Sequence, residues 1–295
     1  MILSKSEYMM YLKHPAWLWV KKHAKDLIPP VSPELQARFD EGNQFEPYAE
    51  ALFPDLIRLG FSDFQSYLNL PFETQQAWDN GATVVAQGRY ESGSITCISD
   101  ILRRDGDAFI LTEIKSSSSA KKEHELDLAF QKVVLEGAGY PIKRCEVAHV
   151  NNSYVRNGDI SPIELVGFTD ITEEVEALID GTKSRIEKAI RVAQANDMPD
   201  PSPEHARLKS YDDWLGVRKK ISPPLPDNSI HFLPNMDAEK SSKLIKDGIT
   251  TVDEITDWTV LKPSTQKYLA AKAEGKRVIE IDKLNRRRWD LRRFR

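Results

Sequence analysis

Cysteine is nearly missing from this chain. Only Cys97 and Cys145 occur among 295 residues, and that scarcity excludes a disulfide-stapled scaffold and a cysteine metal cluster. Long apolar runs are missing as well. No segment reaches the length of a membrane span, and the opening MILSKSEYMMYLKHPAWLWVKKH has the pattern of an amphipathic helix rather than of a signal peptide, so a cytoplasmic protein with no membrane partner is expected. Charge of one sign does not dominate either. Lys and Arg number 41 against 45 Asp and Glu, a net charge of −4, which excludes a polycation that coats nucleic acid indiscriminately. There is no internal repeat and no low-complexity segment. What remains, 40% hydrophobic and 29% charged residues, suffices for a buried core and suggests one main domain plus a smaller one.

The most telling segment is CISDILRRDGDAFILTEIKSS. Two alternating strands flank Asp105-Gly106, the dipeptide favoured in a two-residue type I′ turn. On that turn, paired residue numbers sum to 211, and Asp100 lies opposite Leu111 with Glu113 one pleat further along. Ile98, Leu102, Phe109 and Leu111 share the face of Asp100, Glu113 and Lys115. Turning two carboxylates and an ammonium toward apolar neighbours carries a desolvation cost that an ordinary core avoids. A structural ion pair is the commoner reason for such a spacing taken alone, so the neighbouring segments decide between the two.

With this hairpin, the segment FDEGNQFEPYAEALF and the segment EHELDLAFQKVVLEGAGY, the chain resembles the PD-(D/E)XK nuclease superfamily in its RecB-like exonuclease branch, over roughly its first two thirds. The resemblance implies an α/β fold, a mixed sheet flanked by helices in the manner of restriction endonucleases. It implies that Asp100 and Glu113 ligate one or two divalent ions, Mg²⁺ or Mn²⁺, with help from the Ile114 carbonyl, while Lys115 orients or deprotonates the attacking water. Hard oxygen donors suit those ions. A further ligand from a helix ahead of the sheet falls on Glu46, four residues after Gly42, with Glu50 one turn on as the fallback. Gln131, between Leu128 and Leu135 on a helical flank, matches the glutamine that holds the substrate backbone. The family's tyrosine four residues later is replaced by Leu135, and Tyr140 is the nearest substitute.

Many RecB-like relatives carry an iron–sulfur cluster whose first cysteine lies in an N-terminal helix. His14 of LKHPAWLW stands at that place and EHARLKSYDDW has no cysteine, so no cluster is expected. A zinc site from His14, His23 and His205 is disfavoured by their lack of ligand spacing. At the other end, KLNRRRWDLRRFR offers Arg286, Arg287, Arg288, Arg292 and Arg293 beside Trp289 and Phe294, a set suited to phosphates and bases, or else a solvated basic tail.

Punctuation along the chain sets its organisation. IPPVSP ends the first helix, and a second runs from about Pro33 to Phe53; residues 63 to 80 are ambiguous. Strands are expected at 82 to 90, 95 to 104 and 107 to 116, then the Gln131 helix, a strand at KRCEVAHVNN with its return at SYVRNG, and a long helix over 171 to 196. The domain reading is a nuclease-like domain at 1–197, a Pro-rich linker at 198–228, a small helical module at 229–284 that is similar to helix-hairpin-helix modules, and a basic tail at 285–295. The resulting expectation is a divalent-metal-dependent DNA nuclease, an exonuclease on single-stranded ends by family likeness, acting in repair or defence. The rival is a catalytically weak or inactive nucleic-acid-binding subunit within a complex of protein partners. A third reading, a protein-interaction scaffold, makes the carboxylates a structural ion network.

Overall fold

The computed structural model describes residues 1–31, 33–207, 212–222 and 224–275. It opens with β1 (Leu3–Ser4), α1 (Lys5–Lys13), α2 (Pro15–His23) and α3 (Pro33–Glu50). A short β2 (Leu56–Arg58) and α4 (Phe64–Asp79) lead into three long strands, β3 (Val84–Ser92), β4 (Ile95–Asp105) and β5 (Ala108–Lys115). Then come α5 (Lys122–Gly137), β6 (Ile142–Val150), α6 (Pro162–Leu165), β7 (Val166–Asp170), α7 (Thr172–Glu176) and α8 (Ile179–Gln194). Among the described residues beyond these, α9 (Asp212–Arg218), α10 (Ala238–Lys246) and α11 (Pro263–Ala273) are joined by 3-10 turns. The chain forms two compact units, one of Met1–Met10 with Pro30–Asn196, the other of Tyr11–Pro29 with the chain from Asp197 onward.

In the first unit a seven-stranded mixed sheet runs in the order β2-β3-β4-β5-β6-β7, with β1 paired to β4. Strands β3, β4 and β5 are antiparallel neighbours, β5 and β6 are parallel, and β6 and β7 antiparallel. The parallel step exists because α5 separates β5 from β6, and a crossover helix returns the chain in the same direction. This is the mixed α/β sheet with flanking helices that the sequence led us to expect.

The hairpin register differs from expectation. Asp105 pairs with Ala108 and Leu102 with Leu111, so paired numbers sum to two more than anticipated. The turn is Gly106-Asp107, with Gly106 alone at positive φ, 67°. Glycine at the first central position is the type II′ pattern, not the type I′ pattern. A slip of two preserves the pleat, so the facing of every side chain survives it while the partners change. Asp100 and Glu113 now follow directly on the Ile101–Thr112 pair.

Other expectations shift for local reasons. Residues 64–79 are a helix despite Pro71, started by a capping box between Asp63 and Ser66. The return strand beside β6 is β7, not SYVRNG, and the helix expected over 171 to 196 is broken into α7 and α8. Strand alternation separates two faces. Ile101, Ile114 and Ala148 pack with Phe45 and Ala49 of α3 on one, and the residues between them in sequence face α5 on the other.

In the second unit, Trp214, Ile230, Leu244 and Leu269 share a core with Ala16 and Val20 of α2. Residues 198–228, read from sequence as a linker, contain α9 and bury Trp214 fully. Within 229–275 there are two α-helices, with Gly248 at φ 80° after the first and 3-10 turns between them. The arginine-rich segment with Arg286, Arg287, Arg288, Arg292 and Arg293 lies outside the described residues.

Candidate active site

Glu113 points from β5 toward α5 and is fully buried. Its carboxylate accepts hydrogen bonds from Lys115 Nζ, from Lys5 Nζ at 3.1 Å and from Gln131 Nε2 at 2.6 Å. Gln131 Nε2 also donates to Asp127 Oδ1 at 2.9 Å, and Lys5 Nζ lies 3.4 Å from the same atom. Asp100 on β4 accepts from the Ile114 amide at 2.8 Å. Gln87 Nε2 donates to Glu46 Oε1 at 2.6 Å and reaches Asp100 Oδ1 at 3.5 Å, linking α3 to the hairpin.

Of the residues singled out from sequence, Asp100, Glu113, Ile114, Lys115 and Gln131 come together, and Glu46 joins them through Gln87. Glu50 instead pairs with Arg58, which also lies 3.4 Å from Glu46. Tyr140 donates from its hydroxyl to Gln75 at 3.0 Å and stacks edge-on against Tyr90 and Phe109, so it stands with the aromatic core and not beside Gln131.

Three participants escaped the sequence reading. Lys5 stands 108 residues from Glu113 in sequence. Its placement follows from β1 pairing with β4 and from Tyr8, buried and stacked on Phe130 with ring centroids 4.7 Å apart. Asp127 carried a legible signal, because it precedes Gln131 by one helical turn and so shares its flank. Gln87 interrupts the apolar run of VVAQGRY and takes φ 57°, one of two non-glycine residues among those described at positive φ. A side chain bridging two carboxylates from a left-handed backbone is the kind of strain that persists where surrounding contacts fix it.

The electrostatics are lopsided. Three carboxylates, from Asp100, Glu113 and Asp127, surround two ammonium groups, from Lys5 and Lys115, while Glu46 stands beside Gln87 and Arg58. Burial, and then the charge of Glu113, push the Asp100 carboxyl up to about 7. Burial also raises Glu113, but Lys115 and Lys5 outweigh it and hold this carboxyl well below the usual range. Burial lowers Lys5, yet Asp127 and Glu113 together raise it well above an ordinary lysine. Two nearby carboxyls with affinities for protons driven apart have the makings of an acid–base pair or a cation cradle.

Among the described residues no three His, Cys, Asp or Glu side chains already converge as a metal cluster. The candidate ligands Asp100 and Glu46 offer carboxylate oxygens, and negative charge exceeds positive, which fits a hard divalent cation in both respects. Glu113, in contrast, is engaged by both lysines and Gln131. Cys97 and Cys145 are buried, and burial raises both thiols, Cys145 to about 12, so neither is an available thiolate.

No family model and no curated protein matches the chain. Among solved structures it is similar to a phage-related exonuclease from Haemophilus somnus 129PT, with 14% identity, 65% of this chain and 93% of that chain covered, and a TM-score of 0.31. It is also similar to SSO0001, with 12% identity, 66% and 85% covered, and a TM-score of 0.25. Likeness at this level decides neither the fold nor the chemistry. Among the described residues no helix is long and apolar enough to cross a membrane.

Proposed function

We propose that the chain is a divalent-cation-dependent DNA nuclease of the RecB-like type that hydrolyses phosphodiester bonds, with single-stranded ends as its favoured substrate. The observation that carries this reading is the meeting of Asp100, Glu113, Lys115 and Gln131, drawn from a hairpin and a crossover helix, beside Glu46. Asp100, Glu113 and Glu46, with the Ile114 carbonyl, would hold Mg²⁺ or Mn²⁺. The ion, when bound, supplies Lewis acidity and lowers the pKa of coordinated water.

The chain's own residues do the rest. Lys115 holds its ammonium at Glu113, where it steadies an attacking hydroxide. Gln131 fixes Glu113 through its amide nitrogen, and among the described residues its buried Oε1 has no hydrogen-bond partner, leaving an acceptor for water or substrate. Lys5 and Asp127 complete this arrangement, Lys5 donating to Glu113 and Asp127 accepting from Gln131. A second reading, a nucleic-acid-binding subunit without catalysis, draws on the two lysines that neutralise Glu113.

The test is digestion of end-labelled single- and double-stranded DNA with Mg²⁺ or Mn²⁺, comparing wild type with Asp100→Ala and Lys115→Ala. Cation-dependent cleavage that falls by about 10²-fold or more in both variants is expected. A wild type that binds DNA but never cuts it with either ion would overturn the hydrolase and leave the binding subunit.

A further inference from the structure

The opposite face of the sheet carries a second concentration of charge. Arg103 on β4 and Arg144 on β6 both align with Ile110 of β5 across neighbouring strands, so they stand on the face away from Glu113. They line a cavity of about 420 Å³ together with Leu52 and Phe53, which follow α3, and Phe168 on β7. That volume is within the range of small-molecule sites, roughly 300–1,000 Å³.

The hydrogen-bonding state of this cavity shows what it lacks. Glu146 and Asp170 also line it, but both are engaged. Glu146 accepts from Thr112 Oγ1 at 2.8 Å and pairs with Arg144 Nη2 at 2.8 Å. Asp170 accepts from the amide and the hydroxyl of Thr172, at 2.9 and 2.6 Å. The arginines are not satisfied to the same degree. Among the described residues the Nε atoms of Arg103 and Arg144, both buried, have no hydrogen-bond partner. Among the described residues Arg103 forms no ion pair, although its charge helps lower Asp105; its guanidinium lies 5.9 Å from the Phe53 ring centroid. A buried donor left unpaired is costly, so two arginines that each carry one beside the same cavity favour an added acceptor.

The walls specify what carries that acceptor. Phe53 and Phe168 meet edge to face, 6.4 Å between centroids at 87°, and Phe168 stays 42% exposed. Two guanidiniums suit a phosphate through paired N–H donors, and an aromatic corner suits a flat ring. We infer that this cavity binds a nucleoside monophosphate group, with Arg103 and Arg144 on the phosphate and Phe168 against the base. The group is either a free nucleotide or the phosphorylated end of a strand. The inference stands apart from the nuclease reading, since none of its residues touches the Glu113 cluster.

The experiment is calorimetric titration of the full chain in EDTA, so that divalent-ion chemistry is silent. The probes are deoxyadenosine monophosphate, inorganic phosphate, and oligothymidylate with and without a 5′ phosphate. Binding of the mononucleotide that weakens by about tenfold or more in Arg103→Gln, and again in Phe168→Ala, is expected, with Asp100→Ala unchanged. If only the 5′-phosphorylated strand binds, with the same dependence on Arg103, the source is a strand end and the site stands. Arg144→Gln replaces Arg103→Gln if that variant unfolds. Absence of binding for all probes, binding indifferent to both arginines, or phosphate alone binding as tightly as the nucleotide would overturn the inference.

Discussion

Glu113 and His14 are both buried without measurable exposure, yet their surroundings obey different rules. Around Glu113, carboxylates outnumber ammonium groups, Asp100 is driven toward protonation, and Gln131 Oε1 has no partner among the described residues. Around His14, every polar atom of the ring is used. Nδ1 accepts from the Ala16 amide at 3.1 Å as the N-cap of α2, and Nε2 lies 2.9 Å from the Ser202 carbonyl, to which it donates. The ring stacks on Trp214 at 4.1 Å, and the indole donates to the Pro201 carbonyl at 3.1 Å. Burial of polar atoms therefore does not by itself distinguish a site from a core. Imbalance of charge and hydrogen bonding does, because a purely structural network is under no constraint to leave either unsettled.

The strongest way to break this contrast is Glu113→Gln. It removes the charge at which Lys5 and Lys115 meet, leaving Lys115 without its principal partner and Lys5 resting on Asp127. We expect a loss of about 3 kcal/mol in urea unfolding, together with loss of cleavage. A variant as stable as wild type would mean that the lysines find other partners and that the cluster is held by geometry rather than by charge.

The His14 cluster yields the next largest effect, one read in pH. Burial is the main cause that lowers His14 from 6.5 to about 4. The unfolded chain thus binds more protons between those limits, so this contribution to stability is whole above about pH 6.5 and disappears as pH falls toward 4. By pH 5 the loss amounts to about 2 kcal/mol. Protonation of Nδ1 also abolishes the acceptor that caps α2. Burial likewise lowers His124 and His231 to about 4, and they contribute to the same slope. His14→Asn isolates the share of His14: it should flatten the dependence of the urea midpoint between pH 7 and pH 5. An unchanged slope would show that His14 takes up its proton as readily in the folded chain as in the unfolded one.

Sequence disclosed the hairpin, the crossover helix and five of the residues that meet there, because turn chemistry, pleat alternation and helical spacing are local. The register was missed by two residues because Asp105-Gly106 and Gly106-Asp107 are both acceptable turn centres, and only the closed sheet chooses between them. Lys5 was missed for a different reason. A lysine opening an amphipathic helix is ordinary until β1 joins β4 and carries it to Glu113. His14 invited comparison with a lost cysteine ligand, and its actual work as a cap is fixed by Ser202, far along the chain. Long-range pairings of this kind leave no periodic signal.

Gln87 refines the contrast at the smallest scale, since it is where the sheet itself gives way to the site. Its φ of 57° is costly for a side chain with a Cβ, and glycine would relieve it. Glycine also removes the bond to Glu46 and adds freedom to the unfolded chain. These terms oppose each other, so Gln87→Gly should leave stability within about 0.5 kcal/mol of wild type. Cleavage should still fall by about tenfold, because Glu46 loses its tether to Asp100 and its position relative to the hairpin is no longer fixed. Urea unfolding and initial rates on the same preparation check both halves. Stability and rate falling together would make Gln87 a structural tie of the kind seen around His14, whereas a fall in rate alone places its strain on the functional side of the comparison.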